Sequence, residues 1–153
     1  RQSSVWNATF DNDQYSEVVL DNLGGGDNSV YAGCLVRYSL VADSGYACDI
    51  AQDGDAFLGY VTAGVWTGLD SDLTLDPIVD GDVLRLEAIG TSIKVYLNDV
   101  EILTATDSTY TSGAAGVFAF DPTDGDISIT SWEGGNIVTT PIEIPVLPAG
   151  TPY

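Results

Sequence analysis

Histidine and methionine are absent from the 153 residues, and only four residues are basic, with Lys94 the single lysine. Without histidine the chain lacks the usual base of serine and cysteine hydrolases and the usual imidazole ligand of zinc. Against those four stand 23 acidic residues, for a formal charge of −19. A field of that sign repels phosphate backbones and anionic lipid, so nucleic acid is not expected as a partner. Long apolar runs are missing too. Nothing approaches the ~20 residues that a membrane-spanning helix needs, so no membrane insertion is expected. No signal peptide is visible, and a chain starting at Arg1 reads as processed or as a fragment.

What is present is one domain's worth of chain with an apolar fraction of 44%, enough for a single core. The acidic excess fits a solvated face, solubility in high salt, calcium binding or attraction to a basic protein surface. The two cysteines, Cys34 and Cys48, sit in strand-like segments on either side of "LVADSG". A bridge would close a loop of about 15 residues and contribute roughly 3 kcal/mol. Two buried free thiols fit equally well, an oxidising compartment favouring the bridge and a reducing one the thiols.

Runs rich in Val, Ile, Tyr, Phe and Thr recur about every ten residues between Gly, Asp and Asn, the pattern of an all-β sandwich or barrel. Strands are expected over 4–10, 15–20, 31–39, 45–51, 56–62, 83–89, 93–98, 100–106, 116–120 and 127–133. No window carries a sustained helical period. Alternation is clearest in "GDVLRLEAIGTSIKVYLND". Leu84, Leu86, Ile93, Val95 and Leu97 share one face of a meander, and Arg85, Glu87 and Lys94 can form ion pairs on the other. Asn98 and Asp99 mark the tip of a tight turn.

Two segments break this pattern. Residues 21–29, "DNLGGGDNS", read as a polar loop. The C-terminal "IVTTPIEIPVLPAGTPY" holds four of the six prolines, which impose extended backbone and withhold ladder hydrogen bonds. Pro141, Ile142, Ile144, Pro145, Val146 and Leu147 are expected to form an arm, spanning 136–153, that packs on its own domain or a neighbouring subunit. A linker to a further domain fits nearly as well.

At "WNATFDNDQYSEVVL", "LVRYS", "GYACDI" and "GDVLRLEAIGTSIKVYLNDVEILTATDSTYTSGAAGVFAF…SWEGG" the sequence resembles the concanavalin A-like lectin/glucanase (laminin-G-like) jelly-roll domains. Such domains are common in bacteriophage virion proteins and bacterial secreted proteins. The resemblance is strongest over 81–135. It implies a two-sheet antiparallel jelly-roll sandwich over 1–135, followed by the arm. Members of the group usually begin with a further strand ahead of the part matching Val5-Trp6-Asn7, so either the chain is cleaved or that edge is completed by something else, such as another subunit's proline-rich arm.

The resemblance bears on three chemistries. Glucanases of this fold carry Glu-x-Asp-x-x-Glu on one strand, with the two catalytic carboxylates about 5–5.5 Å apart. No such motif is present. Asp49, Asp53 and Asp55 lack the alternate spacing and read as a turn. The protein is therefore expected to be non-enzymatic. Laminin-G-like domains often hold Ca²⁺ at the sheet rim, and Asp21, Asp27, Asp53 and Asp55 are candidate ligands, as is "DPTDGD" at 121–126. Each of these segments also reads as an ordinary Asp-Gly turn. Lectin sites of the fold combine an aromatic platform with polar groups, which nominates Tyr38, Tyr46, Tyr60 and Trp66, with Arg37 as donor. The competing reading is that the aromatics, including Trp6, Trp66 and Trp132, are core or rim packing.

The leading expectation is a structural or adhesion module of a virion or cell surface. It would assemble as a homo-oligomer, or with other virion or surface subunits, through its sheet edges and arm. The alternative is a lectin-like module that binds host or environmental glycans, and a glycoside hydrolase ranks below both.

Overall fold

A computed structural model describes residues 2–23, 30–120 and 127–139. Among them eleven strands run in chain order: β1 Gln2–Val5, β2 Gln14–Leu23, β3 Tyr31–Ser39, β4 Ser44–Ala51, β5 Ala56–Thr62, β6 Val65–Asp72, β7 Val83–Ile89, β8 Ser92–Leu97, β9 Val100–Thr106, β10 Ala114–Phe120 and β11 Ile127–Asn136. They form a six-stranded sheet, β1-β10-β3-β4-β5-β6, and a five-stranded sheet, β11-β2-β7-β8-β9. Every pairing is antiparallel. This is the two-sheet sandwich expected from the strand pattern.

The five-stranded sheet follows the period-2 rule. In β7, buried Leu84, Leu86 and Ala88 alternate with half-buried neighbours. With Val18, Leu20, Ile93, Val95 and Leu103 they pack on Ala32, Cys34, Val36, Tyr46, Cys48, Ile50 and Leu58 of the other sheet. On the solvent face, Arg85 pairs with Glu17 at 3.1 Å and Glu87 at 2.7 Å and stacks 3.8 Å over the Tyr15 ring. Lys94 lies across from Glu87 in the β7–β8 register, as expected, and forms its 2.6 Å ion pair with Glu101. At the β8–β9 turn Asn98 and Asp99 have φ of 51° and 65°, the left-handed pair of a tight hairpin.

The sequence reading differs at several points: β2 runs on to Leu23 into the expected polar loop, and β10 and β11 are longer than expected. β1 ends at Val5, so residues 6–10 are not strand. β6 was not foreseen at all: "VWTGLDSD" is diluted by Gly, Ser and Asp because it is a largely exposed edge strand. The arm residues Pro141, Ile142, Ile144, Pro145, Val146 and Leu147 lie outside the described residues.

Cys34 and Cys48 face each other across β3 and β4 as free, buried thiols. No bridge joins them. Burial pushes the Cys48 thiol well up, with Cys34 beside it adding to the shift, so Cys48 is held as an inert core group.

Arg37 ties one end of the sandwich together. Its backbone adopts a φ of 50° where β3 loses register with β4, and its side chain is 2% exposed. The guanidinium donates to the carbonyls of Asn12 (2.7 Å), Gly90 (2.8 Å) and Tyr110 (3.2 Å), and Asp13 lies 3.6 Å away. Buried Gln14 accepts the Arg37 N–H and donates to the carbonyls of Asp11 and Gly113. Arg37→Ala should therefore cost about 3 kcal/mol, because it removes a buried cation's hydrogen bonds to three loop carbonyls. Urea unfolding measures this, and Arg37→Lys should recover little, having no planar fork.

Candidate functional site

In most antiparallel sheets only one face of a strand is buried. β3 departs from this: every residue from Ala32 to Tyr38 is buried. Its outer face, turned away from the five-stranded sheet, is apolar as well. Leu35, Tyr38, Ala47, Val61 and Phe118 make a second buried cluster there, with Val5 packed on it.

Cross-strand register explains the shape of this face. Phe118, Gly33, Asp49 and Phe57 lie at one level across β10, β3, β4 and β5, and Leu35, Ala47, Gly59 and Gly68 at the next. The glycines let rings lie down on the backbone. A Cβ at Gly33 would sit 2.6 Å from a Phe118 ring carbon, and one at Gly59 would sit 2.6 Å from the Trp66 indole. The result is a pocket of about 210 Å³ with Leu35, Ala47 and Asp49 lining it from β3 and β4, Tyr31, Phe118 and Phe120 on one side and Trp66 on the other. Beyond Trp66, a second concavity of about 400 Å³ continues over Phe57, Gly68 and Ser71. Trp66 is 38% exposed and borders both.

Asp49 is the chemical anomaly. Its Oδ1 is buried and has no hydrogen-bond partner. Desolvation pushes its pKa up to about 7. Relief by a cation is absent: among the described residues, Arg37, Arg85 and Lys94 are all engaged with other groups. A buried polar atom without a partner costs free energy that an incoming donor recovers.

Of the five residues nominated for sugar contact, the structure brings only Trp66 to this pocket. Arg37 is consumed as the clasp described above. Tyr38 is 1% exposed, underlies the outer face and donates to Asp43 at 2.5 Å. Tyr46 points into the inter-sheet core, donates to Asp107 at 2.5 Å and accepts from the Tyr110 N–H. Burial, followed by the Asp107 hydrogen bond, raises its pKa to about 12. Tyr60 packs edge-on against Tyr110. Tyr31, Phe118, Phe120 and Asp49, which line the pocket, were not nominated. Asp49 lies within β4, whereas Asp53 and Asp55 form the following turn, the Asp53 carboxylate accepting the Asp55 N–H. The missed signal was the lack of polar alternation in "YAGCLV" and "YACDI".

Asp21, Asp53 and Asp55 are not assembled into a metal site. No three acidic, Cys or His side chains converge as a metal site among the described residues. Asp27 and residues 121–126 lie outside them. Two other concavities are less suited to a ligand. One of about 620 Å³ adjoins Arg37, the sole cation lining it, which is already fully engaged. The other, about 230 Å³, adjoins Trp6 and Trp132, whose rings stack 5.7 Å apart, and no charged group lines it.

No protein-family model matches the chain, and no characterised protein matches it in sequence. Solved structures do. Carbohydrate-binding module CBM66 from Bacillus subtilis superposes with a TM-score of 0.66 at 20% identity, over 86% of this chain and 76% of that one. Sheep galectin-11 gives 0.64 at 11% identity, over 88% and 98%. A prokaryotic β-1,3-1,4-glucanase (lichenase) derived from a mouse hindgut metagenome gives 0.65 at 10%, over 86% and 69%. The chain thus has the concanavalin A-like jelly-roll fold shared by lectins, carbohydrate-binding modules and glucanases. Asp49 lines the outer pocket, and Asp70, whose carboxylate accepts the Ser71 and Thr104 N–H groups, lines the concavity beyond Trp66.

The Asp49 environment has a thermodynamic signature. Its folded pKa, about 7, lies above the ordinary value of 3.8. Between those values the folded chain holds a proton that the unfolded chain has released, so this group makes stability fall as pH rises from 4 to 7. Asp49→Asn removes that loss. Its stability relative to the parent should therefore grow through this window and level off above pH 7, at roughly 2–4 kcal/mol. Urea melts at pH 4.5 and pH 8 check the sign.

Proposed function

We propose that the chain is a non-catalytic carbohydrate-binding module whose site is the outer face of the six-stranded sheet. The observation that carries this reading is the pocket between Trp66 and the Tyr31–Phe118–Phe120 wall, lined also by Asp49, a carboxylate with one buried, unpartnered oxygen. A sugar ring offers both complements, an apolar C–H face for an indole and hydroxyl donors for a carboxylate. The fold shared with a carbohydrate-binding module and with galectins supports the same reading. The groove continuing past Trp66 suits more than one sugar residue in a row.

An extracellular or particle-surface setting belongs to this proposal, since polymeric glycans are met there. Assembly into a virion through the arm involves residues outside those described, and no observation on the sandwich favours it over glycan binding.

Titration calorimetry against a panel of soluble oligosaccharides tests the proposal. At least one class should bind, and Trp66→Ala should weaken it about tenfold. Trp6→Ala, just past the end of the far edge strand β1, should leave affinity within twofold. A panel with no binder, or loss of binding on Trp6→Ala alone, would refute the assignment.

A further inference from the structure

A hydroxyl group satisfies the hydrogen-bonding capacity of Asp49 but leaves its charge uncompensated. The surroundings ask for more. The carboxylate is set among Tyr31, Trp66, Phe118 and Phe120. Aromatic faces of this kind attract cations through their quadrupoles, most strongly where water is excluded. The described cations lie elsewhere: Arg85 and Lys94 pair with glutamates on the five-stranded sheet, and Arg37 is locked at one end of the sandwich. The whole chain carries −19, so its field draws cationic ligands in and turns anionic ones away.

We infer that the outer-face site selects amino sugars carrying a free, protonated amine, the class of glucosamine oligomers, over neutral, N-acylated and acidic sugars. The inference rests on the glycan-binding reading above and names the ligand class for that same site. The sugar's ammonium group sits against the Asp49 carboxylate where it lines the pocket, supplying a donor and the countercharge together. Its ring lies along Trp66, and the next residue occupies the concavity over Phe57 and Ser71. N-acetylation removes the charge and adds bulk, and a uronate brings a like charge toward Asp49. The upward shift of the Asp49 pKa is consistent with this, because it marks a carboxylate whose ionised form awaits a partner.

The test compares the glucosamine disaccharide with its N-acetylated counterpart at pH 7 and 0.15 M salt, where the general field is screened to about 8 Å. The parent protein should prefer the free amine at least tenfold. Asp49→Asn should bring the two affinities within about twofold. Asp99→Asn, which removes an exposed charge at a turn of the other sheet, should leave the preference intact. Unfolding curves confirm that both variants fold. Equal affinity for the two sugars, or a preference that survives in Asp49→Asn, overturns the inference while leaving glycan binding in place. A preference lost equally in Asp99→Asn assigns it to the general acidic field and overturns the inference in the same way. Failure of every saccharide to bind removes the glycan reading and the inference together.

Discussion

Burial of β3 and β4 on both faces is the constraint from which the rest of this structure follows. An antiparallel sheet with one wet face needs only alternate apolar residues. Here the inner set, Ala32, Cys34, Val36, Tyr46, Cys48 and Ile50, builds the inter-sheet core, and the outer set, including Leu35, Ala47 and Phe118, builds a second one. Among the described residues the second cluster has no sheet above it. Its cover is aromatic side chains laid flat over glycines, and those same side chains wall the pocket.

The electrostatics divide along the same line. The five-stranded sheet carries a conventional solvent face, where Arg85, Glu17 and Glu87 offset one another. Exposed pairs of this kind contribute under about 1 kcal/mol each and need no ligand. The six-stranded sheet instead sets one carboxylate among rings, and burial raises its pKa to about 7. That arrangement costs stability, and such costs concentrate where a molecule binds. Arg37 and Gln14 meanwhile hold together the loops at one end of the sandwich, contributing rigidity away from the pocket.

Much of the fold was legible in the sequence because strands β7 to β9 follow strict alternation and end in a turn whose Asn-Asp pair accepts left-handed backbone. The site was not, and for a related reason. Alternation reveals a face by contrast, and β3 and β4 have none, so "YAGCLVRYS" reads as generic buried strand. Arg37 looked like a sugar donor because arginine is seldom buried, and only the register break in β3 turns it inward. Asp49 was grouped with Asp53 and Asp55 by proximity in sequence, although the strand ends between them. Trp66 was nominated and does border the pocket, yet its strand was missed because an exposed edge carries too few apolar residues to show a period.

The central claim is that the outer face of the six-stranded sheet, around Trp66 and Asp49, is where a glycan binds. Chemical-shift mapping during a saccharide titration tests it most directly, following the Trp indole N–H signals and the Asp side-chain carboxyl carbons. The account predicts the largest shifts at the Trp66 indole, the Asp49 carboxyl and the Phe118 ring, with Trp6 and Trp132 unmoved. Shifts concentrated at Trp6 and Trp132, or around Asp13, Thr91 and Thr111 beside Arg37, would contradict it.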